Sequence, residues 1–188
     1  MSRILITGGN GFLGSHLVSS ISKDDEIFIL DKGNGERSTE NGKTFNVNLT
    51  DNELEKTVKE INPEIVFHLG AFTLPFRDKD FVQKSMEANI KGTVNLLQAL
   101  EDTDVKSFIY TSSSEVYGSK NEAPFKEDMI PRPTSPYSVS KLAGEYYSLL
   151  YHDTYGFPTT ILRLFNIYGP YQTPNRIIPE LIVTALQN

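Results

Sequence analysis

There is no cysteine in the 188 residues. Its absence excludes a disulfide scaffold, a thiol nucleophile and any cysteine-based metal site, and it fits a reducing compartment. Histidine is nearly as scarce. His16, His68 and His152 share no ligand spacing with acids, so no metal is expected and packing or surface roles are. Positive charge is short too: 18 Lys and Arg against 24 Asp and Glu leave a net charge of −6. Such a balance argues against nucleic-acid and anionic-membrane partners, so any phosphate must be held by local loops and a few placed cations. Long apolar runs are also missing. The N-terminal run is too short for a signal peptide, and nothing approaches the ~20 apolar residues of a membrane-spanning helix. The expectation is a cytoplasmic protein, long enough for one sizeable domain burying ~70% of its unfolded surface.

What is present begins at Ile4–Gly14, where the run Ile4-Leu-Ile6 meets a Gly-rich turn followed by helix-compatible sequence from Phe12 to Ile21. Gly9-x-Gly11-x-x-Gly14 has the dinucleotide spacing, and Gly8-x-x-Gly11-x-x-Gly14 has the short-chain-dehydrogenase spacing in the same residues. Glycine lets the backbone turn tightly and approach a pyrophosphate, which the helix N-terminal N–H groups then face.

Further strands are expected at Glu26–Asp31, Phe45–Leu49, Ile65–Gly70, Ser107–Ser112 and Thr159–Arg163. Helices are expected at Asp51–Ile61, Asp80–Leu100, Tyr137–Tyr155 and Asn175–Gln187. Alternating β and α with continuous apolar strands implies a doubly wound parallel Rossmann sheet of the α/β class, with helices on both faces. Ligands then sit beyond the C-terminal strand ends. Asp31 ends the second strand at close to the ~20-residue separation expected of the carboxylate that holds the adenosine ribose, which favours NAD over NADP. Lys32 and Arg37 lie nearby. Arg77, Lys79 and Lys84 read as a solvated face, and Tyr146, Tyr147, Leu149, Leu150 and Tyr151 as core and interface.

The fifth strand ends in Ser112-Ser113-Ser114-Glu115, and Tyr137 and Lys141 follow at i and i+4 on one helix face. An ammonium beside a phenol lowers the phenol pKa from about 10, so Tyr137 is expected to exchange a proton with a substrate oxygen that Ser113 also holds.

These residues together resemble the extended short-chain dehydrogenase/reductase family, the NAD-dependent epimerases and dehydratases of nucleotide sugars. Thr7-Gly-Gly-Asn-Gly-Phe-Leu-Gly14 is similar to its cofactor loop and His68-Leu-Gly-Ala71 to the strand end under the cofactor. Asn89–Leu97 resembles its central helix motif, Ser135–Lys141 its catalytic helix, and Arg163–Pro170 its diphosphate-contacting strand end. The resemblance implies NAD as cofactor, held by Gly8, Gly11, Phe12, Leu13, Gly14, Asp31, Asn48, Leu49, Leu69, Gly70, Ala71, Asn89, Tyr137 and Lys141. It implies Ser113, Tyr137, Lys141 and Glu115 as catalytic residues, and Asn166 and Arg176 on the diphosphate of a nucleotide-sugar substrate. It also implies a homodimer formed through the two long helices. Asn48-Leu49 stands where the family usually has Asp-Leu or Asp-Ile. Family members generally continue well past Asn188. Residues 1–170 are therefore expected to be the NAD-binding domain with its catalytic residues, and 171–188 the start of a substrate-binding region otherwise largely absent.

Within the family the first step is oxidation of the sugar at C4. The fate of the keto intermediate then separates epimerases from dehydratases and uronate decarboxylases. The expected activity is 4-epimerisation, which needs only Tyr137, Lys141 and Ser113. Glu115 keeps a 4,6-dehydratase or uronate decarboxylase open. Ser114 replaces the acid of dTDP-glucose dehydratases, although Tyr168–Pro179 resembles their sequence. A non-catalytic dinucleotide-binding module is the alternative of another class.

Overall fold

All strands of the sheet run in one direction. The computed structural model describes residues 1–33, 42–74 and 78–187, so Arg37 and Arg77 lie outside the described residues. Among these residues the strands are β1 (Arg3–Thr7), β2 (Glu26–Asp31), β3 (Lys43–Asn46), β4 (Ile65–His68), β5 (Ser107–Ser113) and β6 (Thr159–Leu164). They pair in parallel in the order β3-β2-β1-β4-β5-β6. The order reverses between β1 and β4, which opens a crevice above their C-terminal ends.

Alternation along the strands supplies both faces with apolar side chains. On one face Leu5, Leu30, Val66, Phe108 and Tyr110 pack against helices α2 (Leu54–Ile61), α4 (Gly92–Leu100) and α5 (Pro136–Tyr155). On the other, Ile4, Ile6, Ile27 and Ile29 meet Val18 of α1 (Phe12–Ser20). Helices thus cover both faces, as the βα alternation predicts. Helix α2 shows how sequence does this: Leu54, Val58 and Ile61 recur on one buried stripe. The helix stops at Asn62, whose left-handed conformation closes an N–H bond to Val58 O.

Two elements differ most from expectation. The third strand is Lys43–Asn46 rather than Phe45–Leu49, because β2 pairs it from Phe28↔Lys43 to Asp31↔Asn46. Beyond it the chain turns, with Asn48 N–H donating to Asp51 Oδ2 and Asp51 N–H to Asn48 O. The expected helix Asp80–Leu100 is three segments: α3 (Lys79–Ser85), a π-helical stretch Met86–Lys91, and α4. Its signature is Gly92 N–H reaching Glu87 O, five residues back. Of the aromatic and leucine cluster on α5, only Tyr151 is buried. Tyr146, Tyr147, Leu149 and Leu150 are exposed. The last helix, α6 (Ile177–Gln187), buries none of its residues. No helix among the described residues is long and apolar enough to cross a membrane.

Candidate active site

The Gly-rich turn between β1 and α1 is packed tightly on itself and on the segment beyond β4. Gly8 has φ +70°, and a Cβ there would lie 2.9 Å from the backbone of Gly70 at the end of β4. A Cβ on Gly14 would lie 2.3 Å from Gly8 O, so both positions must be glycine to keep the turn tight. Helix α1 starts at Gly11 with no side-chain cap and no acid in its first turn. Its leading N–H groups, those of Phe12 and Leu13 among them, are left to an anion. Asp31, at the end of β2, accepts the Asn10 N–H at 3.0 Å. Asn10 Oδ1 is buried with no protein partner, an acceptor suited to a hydroxyl beside the Asp31 carboxylate. Nothing in the residue pattern singled out Asn10. Its burial is the signal. Lys32 is exposed. The rest of the rim is the turn at Asn48 and Leu49 beyond β3 and the segment Leu69-Gly70-Ala71 beyond β4. These features fit a dinucleotide.

Beyond β5, Ser113 starts a 3-10 turn (Ser114–Tyr117) and accepts the Glu115 N–H on its Oγ at 3.2 Å. The catalytic-helix candidate α5 opens with a reciprocal cap. Ser135 Oγ accepts the Ser138 N–H, Ser138 Oγ accepts the Ser135 N–H, and Pro136 holds the first turn. Ser135 Oγ also donates to Glu115 Oε2 at 3.2 Å, which ties the exposed Glu115 carboxylate to the start of α5. There the helix dipole favours an anion.

Tyr137 and Ser113 are brought together. Burial raises the Tyr137 phenol above its ordinary pKa; the nearby Ser113 hydroxyl and the positive charge of Arg176 pull it down, and Glu115 pushes it up. Arg176 donates to Thr73 Oγ1 at 3.2 Å and so faces the site from the chain beyond β6. Asn166 is exposed just past the end of β6.

Lys141 corrects an expectation. Its ammonium was to lower the Tyr137 pKa; instead the phenol is raised, and Nζ donates to Thr111 O at 2.7 Å over the Tyr110 ring. Burial outweighs the nearby Glu145 and lowers Lys141 to about 8, so it is a buried, weakly held ammonium. A backbone carbonyl is the acceptor within its reach. Beneath it, Glu145 forms a buried bidentate pair with Arg163 of β6, Nη2–Oε2 2.8 Å and Nε–Oε1 3.0 Å. Arg163 also donates to Glu127 O, anchoring the Pro-rich loop that precedes α5.

Asn89 lies in the π-helical stretch, and its carboxamide is engaged by the protein. It accepts Phe72 N–H at 2.7 Å and donates to Phe72 O and Ser140 Oγ at 2.9 and 2.8 Å. His68 is wholly buried and held neutral, its pKa lowered to about 3 by burial and by the charge of Lys141. His16 bonds Pro170 O and His152 bonds Phe157 O.

A parallel sheet in this order, with a Gly-rich β1–α1 turn and Ser, Tyr and Lys at the ends of β5 and on α5, defines a dinucleotide-binding domain of the short-chain dehydrogenase/reductase type. The chain belongs to the NAD dependent epimerase/dehydratase family, whose model matches residues 4–188, and NAD is the cofactor of that family. It is 37% identical to dTDP-D-glucose 4,6-dehydratase of Dictyostelium discoideum, over 100% of this chain and 49% of that protein. It is 33% identical to a putative UDP-glucose 4-epimerase of Methanocaldococcus jannaschii, over 91% of this chain and 58% of the other. Among solved structures, UDP-glucuronic acid 4-epimerase from Bacillus cereus, in complex with UDP-glucuronic acid and NAD, superposes with a TM-score of 0.86 at 32% identity. That match covers 98% of this chain and 63% of the epimerase. The chain thus spans about half to two thirds of the length of these relatives.

Proposed function

We propose that these residues form the NAD-binding and catalytic part of a nucleotide-sugar 4-epimerase. One observation carries this: Ser113 at the end of β5 and Tyr137 on α5 stand close enough for the hydroxyl to act on the phenol, while the neighbouring acid position is Ser114. Elimination of water from a keto-sugar asks for an acid and a base beside that pair, and Glu115 is the one carboxylate in the 3-10 turn.

NAD, when bound, supplies a hydride acceptor that can also return the hydride. Its pyrophosphate would be held by the N–H groups of Phe12 and Leu13, beside Gly11 whose own N–H donates to Gly8 O, and its adenosine ribose by Asp31 and Asn10. The turn at Asn48 and Leu49 would border the adenine, and Leu69, Gly70 and Ala71 would underlie the dinucleotide. Tyr137 takes the proton of the C4 hydroxyl and returns it after the keto-sugar has turned over. Ser113 holds the same oxygen and partly offsets the burial that raises the phenol pKa. Lys141 is close to its own pKa at working pH and supplies a cation that can leave Thr111 O for a ribose hydroxyl. Asn166 and Arg176 offer amide and guanidinium donors to the substrate diphosphate.

The Glu115–Ser135 hydrogen bond favours a second reading, in which Glu115 acts as base in a 4,6-dehydratase or a uronate decarboxylase. Glu115→Gln in the intact protein separates the two: epimerisation survives it, whereas dehydration and decarboxylation stop. The test of the whole proposal is the near-ultraviolet absorbance of reduced nicotinamide on adding NAD and a panel of nucleotide sugars. Transient reduction supports the enzyme. Bound NAD that no sugar reduces leaves a non-catalytic binding module. The exposed Tyr146, Tyr147, Leu149 and Leu150 on α5, with Val82 and Met86, support a homodimer through the long helices. A monomer in sedimentation at micromolar concentration removes it.

A further inference from the structure

His68 sits at the end of β4, fully enclosed and flanked by the rings of Phe108 and Tyr110. Both ring nitrogens have partners. Nδ1 is 2.7 Å from Thr7 Oγ1 and Nε2 is 2.9 Å from Thr93 Oγ1. Proton counting fixes the direction of these bonds. Thr93 gives its hydroxyl proton to Asn89 O at 2.6 Å, so it can only accept from His68, and Nε2 carries the proton. Nδ1 is then the acceptor, and Thr7 donates to it. Thr7 Oγ1 in turn accepts the Gly70 N–H at 3.0 Å, against which Gly8 is packed.

The chain of hydrogen bonds continues past Asn89. Its Nδ2 donates to Ser140 Oγ at 2.8 Å, and Ser140 donates to Tyr137 O at 2.7 Å. A buried line of polar groups therefore runs from the dinucleotide turn through β1, β4 and the π-helical stretch to the backbone of Tyr137. The links from Gly70 to Thr7, Thr7 to His68, His68 to Thr93 and Asn89 to Ser140 are long-range, and those at Thr93–Asn89 and Ser140–Tyr137 are local. An unpaired member in this apolar setting costs roughly 1–3 kcal/mol. The line tolerates one protonation pattern, since a proton on Nδ1 would face the Thr7 hydroxyl donor and leave Thr93 without its donor.

We propose that His68 is a positioning residue, a neutral Nε2–H imidazole that couples the dinucleotide turn to the backbone that places Tyr137 and Lys141. Occupancy of the turn then tightens the start of α5. The proposal rests on the NAD-binding reading of that turn. Two measurements test it. Nitrogen-15 spectra of the histidine side chains need no cofactor: His68 is expected as the Nε2–H tautomer through the mildly acidic range, and an Nδ1–H or cationic ring overturns the proposal. Hydrogen exchange with and without saturating NAD reads the coupling itself. In the wild type, NAD is expected to slow exchange of the Lys141 and Leu142 amides by about tenfold. Ser140→Ala cuts the line beyond Asn89 and leaves the Gly70–Thr7–His68–Thr93 arm intact, while Thr93→Val cuts it at His68 Nε2. They are expected to bind NAD within about twofold of wild type yet lose that slowing. Slowing that persists in both variants overturns the proposal, even if both melt earlier, because a purely structural role lowers stability without uncoupling. A wild type that binds no NAD instead refutes the cofactor reading, and the tautomer result stands apart from it.

Discussion

Lys141 Nζ lies 2.7 Å from the carbonyl oxygen of Thr111, so the catalytic-helix lysine is fastened to the strand that carries Ser113. Burial lowers its pKa from 10.5 to about 8. The unfolded chain therefore binds more protons than the folded one between those values, and stability rises with pH across that window. Below pH 8 the penalty is fully present; above 10.5 it is gone. Lys141→Met is expected to flatten this rise by about 3 kcal/mol, read from urea midpoints at a series of pH values. Equal slopes in the two proteins would mean the ammonium is better solvated than its setting implies.

Asp31 accepts Asn10 N–H, and Asn10 Oδ1 is buried without a protein partner. Replacing Asp31 by Asn keeps the shape and removes the charge. Affinity for NAD is expected to fall about tenfold, since charge-assisted hydrogen bonds to a ribose are lost. Discrimination against NADP should narrow as the repulsion of its extra phosphate disappears. Titration calorimetry with both dinucleotides reports the ratio, and an unchanged ratio removes Asp31 as the selector.

Glu145 and Arg163 pair where their side chains are 4% and 17% exposed. Glu145→Gln leaves the guanidinium half-enclosed without its counter-charge. The expected loss is about 3 kcal/mol in denaturant unfolding. Proteolysis near Glu127 should rise, because Arg163 also holds that carbonyl. A loss below about 0.5 kcal/mol would class the pair with exposed ones.

Gly144 brings α5 down onto β5. A Cβ there would lie 2.1 Å from Tyr110 Oη and 2.5 Å from Cζ. Gly144→Ala gains up to about 1 kcal/mol in helix propensity yet is expected to destabilise by about 1–3 kcal/mol net, because a ring must move. A midpoint that rises would show that the helix can lift without cost.

The dinucleotide turn, Asp31 at a strand end and the Ser113, Tyr137, Lys141 order were legible because each lies in a local pattern with its own period or spacing. Strand β2 follows its apolar run residue for residue. Strand β3 does not, since Val47 and Leu49 are apolar for the core beyond the strand and only pairing with β2 decides where the ladder ends. The direction of Lys141 was also beyond local pattern: i, i+4 spacing puts it on the Tyr137 face but does not say that Thr111 O captures it. The roles of His68 and Asn89 depend on partners such as Thr7 and Ser140, distant in sequence, and no spacing announces them.

The π-helical stretch Met86–Lys91 has an arithmetic consequence. Each residue of an α-helix turns the chain by roughly 100°, so one residue too many shifts everything downstream by that angle. Asn89 must face Phe72 and Ser140, while Leu96, Leu97 and Leu100 must face the sheet. A regular α-helix of the same length would satisfy one set and swing the other out of phase, and the wide turn absorbs the extra residue. A single-residue deletion in this stretch is therefore a different kind of lesion from a substitution. It closes the wide turn that presents Asn89, and relatives that keep the Asn89 contacts should keep the extra residue with them.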